Sequence, residues 1–219
     1  MQVVHAAKID PPAKLPRGRH AASREVVAES QRRRLVAAMT ELAGTQGYAN
    51  TTISDVVRLA GVAKPAFYEH FVDKQACLIA AYDVAVQDVM AAAAGALSDT
   101  APPAERVEHG VGALLEYVAA HEAQSRIVLI EIVGAGPEAV AHMKATHRAL
   151  ADQYVAMREV VRKSYPDYPS LTRVQGMAVV GAVTEPVSEM LITEGADGVR
   201  ALKDELVTVV AALSMMAGV

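Results

Sequence analysis

Apolar residues recur at helical spacing along most of this chain. Leu35, Ala38, Met39, Leu42 and Ala43 mark one face of a helix that Gly47 should end. Ser23 and Ser30 each offer a cap ahead of it, so 23–46 reads as one helix or as a short helix followed by a longer one. Thr52-Ile53-Ser54-Asp55 is a capping box, in which the threonine hydroxyl takes a backbone N–H and the aspartate reaches back to the cap. Ile53, Val56, Val57 and Ala60 then mark a two-turn helix. Gly61 stops it, since a left-handed residue after a helix is least strained as glycine. After Gly61-Val62-Ala63 a third short helix spans 64–70 with Phe67 and Phe71 turned inward. Asp73 caps a fourth, which runs through Leu78 and Tyr82 towards Ala94.

The remainder is predicted helical as well. Pro102 and Pro103 open a helix to about Ala123. A shorter one covers Ser125 to Val133 and ends at Gly134-Ala135-Gly136. Pro137 opens a long one ending near Tyr165. Two last helices are expected at about 170–194 and 198–216, with a break at Glu194–Gly198 and a kink at Pro186. No strand alternation or hairpin signal competes. The predicted fold class is therefore all-α, with three domains in order: an irregular basic arm over 1–22, a three-helix segment over 23–75, and a larger helical domain over 76–219.

Composition narrows the function classes. Apolar residues make up 52% of the chain and aromatics 4%, which favours close helix packing on small side chains. The single cysteine, Cys77, excludes an internal disulfide and a cysteine metal cage. The first twenty residues lack an apolar leader segment, and the longest apolar runs are too short or too broken by charge for a bilayer span, so the expected location is the cytoplasm. The net charge of −4 is uneven: residues 1–80 hold 11 Lys and Arg against 7 Asp and Glu, and the rest is acidic. Such a split suits a front end that meets a polyanion.

Three short helices with a glycine turn between the second and third make a helix-turn-helix. Its third helix is small enough for the major groove, where base edges carry a distinguishable donor and acceptor pattern. Lys64, Pro65, Ala66, Tyr68 and Glu69 lie opposite Phe67 and Phe71, and the small residues let backbone approach bases closely. The hydroxyls of Thr51 and Thr52, the Tyr68 phenol and Lys74 are candidates for phosphates.

Gly47-Tyr48-Ala49-Asn50-Thr51-Thr52-Ile53-Ser54-Asp55-Val56-Val57, then Ala60-Gly61-Val62-Ala63-Lys64, then Phe67-Tyr68-Glu69-His70-Phe71-Val72-Asp73-Lys74, resembles the DNA-binding signature of the TetR family over about residues 31–85. The resemblance implies a two-fold dimer that represses transcription at palindromic operators in double-stranded DNA and is released by a small-molecule effector. It places Lys64, Pro65, Ala66 and Tyr68 on the recognition helix, and Thr52, Tyr68 and Lys74 on phosphates. One departure is Ala63, where the family carries Ser or Thr; a missing hydroxyl cap costs about 1 kcal/mol of local stability.

Other features weigh less. Arg32-Arg33-Arg34 is read first as a solvated helix face, with DNA contact second, and Arg17 and Arg19 could reach a minor groove. His142 and His147 are five apart, off the spacing of a helical metal pair, and no cofactor or metal is expected. Gly134-Ala135-Gly136 lacks the pattern of a nucleotide loop, and no nucleophile–base arrangement is legible, so no enzyme is expected. The resemblance puts an effector site among helices at roughly 85–165, with Leu114 and Ile130 as apolar lining and Tyr117, His121, Glu131, His147 and Tyr154 as polar candidates. Glu131 is the oddity, a carboxylate in a strongly apolar segment that needs a partner; pairing with a nearby arginine is preferred over a ligand role. The helices at about 170–194 and 198–216 carry small residues on apolar faces, and the resemblance makes them the homodimer interface. The rival reading is a helical protein–protein adaptor that keeps a degenerate helix-turn-helix.

Overall fold

The structure, a computed structural model, describes residues 23–96 and 101–215. Its helices are α1 (Arg24–Gln46), α2 (Ile53–Ala60), α3 (Lys64–His70), α4 (Lys74–Gly95), α5 (Pro103–Ala120), α6 (Glu122–Arg126), α7 (Ile132–Gly134), α8 (Pro137–Arg162), α9 (Arg173–Thr193), α10 (Gly195–Ala201) and α11 (Lys203–Met215). A π-helical turn, Ile127–Glu131, joins α6 to α7. No strand occurs among the described residues. The expected arm, with Arg17 and Arg19, lies outside them.

Contacts divide the chain into two compact units, Met1–Val86 with His121–Ala139, and Gln87–Ala120 with Val140–Val219. The first unit thus takes in a segment well beyond residue 75.

In the first unit α1 is a single helix, capped by Ser23, whose hydroxyl accepts the Val26 N–H at 3.3 Å. Its inner face, with Leu35, Ala38, Met39 and Ala43, is buried. It meets α2 and α3 on one side and α6 on another. Val56, Ala60, Phe67, Phe71, Cys77, Leu78 and Tyr82 complete this core together with Ile127 and Ile132. By length and composition α4 could cross a membrane, which the sequence reading did not foresee. Its apolar character has a use here, since Cys77, Leu78, Ala81 and Tyr82 fill the core. Burial pushes the Cys77 thiol up to about 12.

Small residues allow unusually close helix crossings. A Cβ placed on Gly44 of α1 would stand 2.5 Å from the Ala123 carbonyl oxygen. Gly61 ends α2 with φ of 60°, the left-handed turn anticipated from the sequence.

In the second unit α10 and α11 each pack on α5 and α9. The core draws on Val111, Leu115 and Val118 of α5, Ala151 of α8, Val179, Val187 and Leu191 of α9, Val199 of α10, and Leu206 and Val210 of α11. A capping box, Thr172 with Gln175, starts α9. Pro186 does not end α9, which continues to Thr193. The predicted break at Glu194–Gly198 is much shorter than expected. Gly195, with φ of 66°, turns the chain in one residue and opens α10. The helix predicted over Ser125–Val133 starts earlier, at Glu122, and carries the π turn.

Arg158 is buried in this unit at 3% exposure. Its guanidinium donates to the carbonyl oxygens of Ser214 and Pro169 and stacks 3.3 Å from the Tyr168 ring centroid. The last turn of α11 thereby gains a cation at its negative end.

Candidate nucleic-acid interface

The interface is built from α2, α3 and the loops before them. Thr52 caps α2: its hydroxyl accepts the Asp55 N–H at 3.2 Å, and the Asp55 carboxylate accepts from the Thr52 hydroxyl at 2.6 Å and from the Thr52 N–H at 3.3 Å. These hydrogen bonds from Thr52, then the Arg58 guanidinium, hold the Asp55 carboxyl below its usual range. Thr52 is exposed. Thr51 is not: its hydroxyl turns inward and donates to the Gly47 carbonyl at 2.9 Å. That removes Thr51 from the surface the sequence offered to phosphates.

On α3, Phe67 is fully buried and Phe71, just after the helix, nearly so. Lys64, Pro65, Tyr68 and Glu69 are exposed and Ala66 is half-buried. Tyr68 keeps 52% of its surface, its ring set T-shaped to that of Phe67 with centroids 5.4 Å apart. Lys64 and Tyr68 are therefore not covered by the described residues. Ala63 makes no side-chain cap, and Pro65 in the first turn leaves one fewer orphan N–H to satisfy.

Two features were beyond sequence reasoning. Arg34 donates to the carbonyl oxygens of Ala60 at 2.6 Å and Gly61 at 3.2 Å, placing a cation on the C-terminus of α2. Arg32 lies over the Phe71 ring and Arg33 pairs with Glu29, so each arginine of the basic run has an intramolecular partner. Lys74 donates to the carbonyl oxygens of Tyr48 at 2.8 Å and Thr51 at 2.9 Å, over the Tyr48 ring at 3.9 Å. Partial burial lowers its pKa. Two of its three N–H donors are thus committed inside the domain.

The effector candidates fall in different units. His121, Ile130 and Glu131 belong to the first, and Leu114, Tyr117, His147 and Tyr154 to the second. Glu131 accepts the Tyr48 N–H at 2.7 Å, so its partner is a backbone amide and not an arginine. Tyr154 and Ser214 share a hydrogen bond at 2.6 Å. Burial, then the Asp88 carboxylate, pushes the Tyr117 phenol up to about 12, and burial lowers the His147 pKa. Leu114 is half-buried on α5.

A buried helix-turn-helix scaffold with an open third helix is the arrangement of a DNA-binding domain. Residues 35–81 match the model of the bacterial regulatory proteins of the tetR family. Over that segment the chain carries a helix-turn-helix similar to that of the tetR-family regulatory proteins. Over 140 residues it is 24% identical to the HTH-type transcriptional activator FasR of Mycolicibacterium smegmatis. That match spans 64% of each chain, less than two thirds of the relative's length. Among solved structures, a putative TetR-family regulator from Syntrophomonas wolfei superposes with TM-score 0.71 at 18% identity, covering 87% of this chain and 98% of that one. FadR from Bacillus subtilis, solved with stearoyl-CoA, superposes with TM-score 0.68 at 16% identity, covering 81% and 96%. At such identities the likeness is one of fold.

Proposed function

We propose that the chain is an effector-controlled repressor that binds a palindromic operator as a homodimer. The observation that carries this is the exposed face of α3, Lys64 and Tyr68, set behind the capped start of α2. In this reading Lys64, Pro65, Ala66 and Tyr68 meet base edges or backbone, and Thr52 and the remaining N–H of Lys74 meet phosphates. The DNA-binding part covers 23–75 and the regulatory part 76–219.

The dimer surface is assigned to α9 through α11. Val174 at 74% exposure, Met177, Gly181 and Ile192 at 59% share the outward side of α9, with Val209 and Met215 exposed on α11. Gly176 and Val179 of the same helix pack inward instead, Gly176 against Ala151. The effector is a small, largely apolar molecule, and Leu114, Tyr117, His147 and Tyr154 are its proposed contacts in the second unit. Stearoyl-CoA, the ligand of the similarly folded FadR, is the first probe to try.

The test selects duplexes from a random pool with the full chain and titrates the winner against wild type and Lys64→Ala at fixed salt. Two chains per palindromic duplex, and a loss of about tenfold or more for Lys64→Ala with unchanged folding, are expected. A reporter carrying that duplex should fall when the chain is expressed; a rise would make it an activator, as FasR is. Recovery of no preferred duplex would favour the adaptor reading.

A further inference from the structure

The segment 121–139 is fastened to the helix-turn-helix at three points. Ala123 abuts Gly44 of α1. The Glu131 carboxylate accepts the Tyr48 N–H at 2.7 Å, across 83 positions of sequence. Gln75, at the start of α4, donates to the Ala135 carbonyl at 2.7 Å. The second of these falls on the turn that leads into α2.

That turn is gripped from both sides. The Tyr48 N–H goes to Glu131, and its carbonyl receives Lys74. Lys74 also takes the Thr51 carbonyl, one residue before the Thr52 cap of α2. Glu131 and Lys74 therefore fix the peptide groups that set the direction in which α2, and α3 behind it, leave α1.

The π turn is what presents Glu131 there. Ala123 and Ile127 both face inward, four residues apart. In an α-helix four residues overshoot a full turn by about 40°. A π turn, closed by the Ile132 N–H on the Ile127 carbonyl, holds roughly 4.4 residues, so the next four fall short by about 30°. The two drifts nearly cancel, and Ala123, Ile127 and Glu131 form one line towards α1. Were Ile127–Glu131 ordinary α-helix, Glu131 would swing by about 70° away from Tyr48.

We propose that Glu131 is a positioning residue for DNA binding, acting through the Tyr48 backbone and presented by the π turn Ile127–Glu131. This rests on the reading of α2 and α3 as the DNA-contacting pair. The unit competent for DNA then includes residues 121–139, and any event that regularises the π turn releases the clamp.

The experiment uses the full chain and the selected duplex, with Glu131→Leu, which removes the acceptor at similar size, and Glu131→Gln, which keeps one. Amide hydrogen exchange at Tyr48 and duplex affinity are measured well below the melting temperature of each variant. Expected is Tyr48 exchange faster by about tenfold or more and affinity lower by about tenfold in Glu131→Leu, with Glu131→Gln restoring most of both. A merely structural role would lower the melting temperature without moving affinity at temperatures where the chain is folded. Wild-type affinity in Glu131→Leu, or equal loss in Glu131→Gln, overturns the proposal. Rapid Tyr48 exchange in the wild-type protein overturns it without any variant, and so covers a Glu131→Leu that does not fold. Failure of the wild type to bind any duplex overturns the DNA-binding reading instead, and the proposal's DNA role with it.

Discussion

Gly44→Ala is the sharpest probe of how the first unit is held together. A Cβ at Gly44 would lie 2.5 Å from the Ala123 oxygen, 2.6 Å from its Cα and 2.7 Å from its Cβ. Two of these atoms are backbone, so no rotamer change relieves the overlap. Ordinary contact begins near 3.4 Å, and α1 and α6 must part by roughly 1 Å, which forfeits a quarter to a half of the dispersion energy at neighbouring contacts. Overpacking of this kind costs about 1–3 kcal/mol. Alanine recovers about 0.8–1 kcal/mol of that through its better helix propensity. Because the overlap is with backbone, the cost lies at the upper end, about 2–3 kcal/mol, so the net loss is on the order of 1–2 kcal/mol, or about 2–8 °C in melting temperature for a chain of this size.

Thermal unfolding followed by circular dichroism measures it directly. Gly95→Ala is the reference, because nothing lies within 4 Å of a Cβ there. It should melt at or slightly above wild type. Ala123→Gly should fail to rescue Gly44→Ala, since it removes only one of the three overlapping atoms. A Gly44→Ala protein that melts at or above wild type would refute the argument that backbone contact, rather than helix propensity, governs this position.

Two further outcomes follow from single residues. Arg34→Met removes the cation and both donors from the C-terminus of α2, and should lower stability by about 1–2 kcal/mol, with faster amide exchange in α2 and α3; unchanged exchange there would reject the cap. Burial keeps the folded pKa of His147 below 6.5, so the unfolded chain binds more protons between that value and 6.5, and stability should fall as pH drops below 6.5. His147→Gln should flatten that acid limb in urea midpoints measured between about pH 5 and 7, and parallel profiles for the two proteins would reject the assignment.

What the sequence made legible was local chemistry. The Thr52–Asp55 capping box, the Gly61 turn and the Asp73 cap, whose carboxylate accepts the Ala76 N–H at 2.8 Å, each follow from a few neighbouring residues. Helical period could say that α9 has an apolar face, but not which of its apolar residues turn inward. Gly176 packs against Ala151 because only a glycine admits that approach, and Val174 and Met177 are left outside. The π turn is equally hidden, since nothing in the Ile-Val-Leu-Ile run itself sets it apart from ordinary helix. The one trace in the sequence was a carboxylate among apolar residues, and the partner it needed proved to be a peptide N–H.

The same contacts change what the basic N-terminal third can do. Four of its eleven cations, Lys8, Lys14, Arg17 and Arg19, precede the described residues. Of the rest, Arg32, Arg34 and Lys74 are engaged on an aromatic ring or on backbone carbonyls. Moving them to phosphates would cost the domain its own joints. Arg33 and Arg58 sit in exposed pairs with Glu29 and Asp55, which are worth little and can be given up. That leaves Arg24 at the start of α1 and Lys64, the exposed cation on α3 itself. The described part of the domain is thus built to hold α2 and α3 rigidly and to offer few side-chain charges. Its grip on DNA must depend on the aim of those helices more than on charge, which is why the turn held by Glu131 and Lys74 matters to binding although neither group lies on α3.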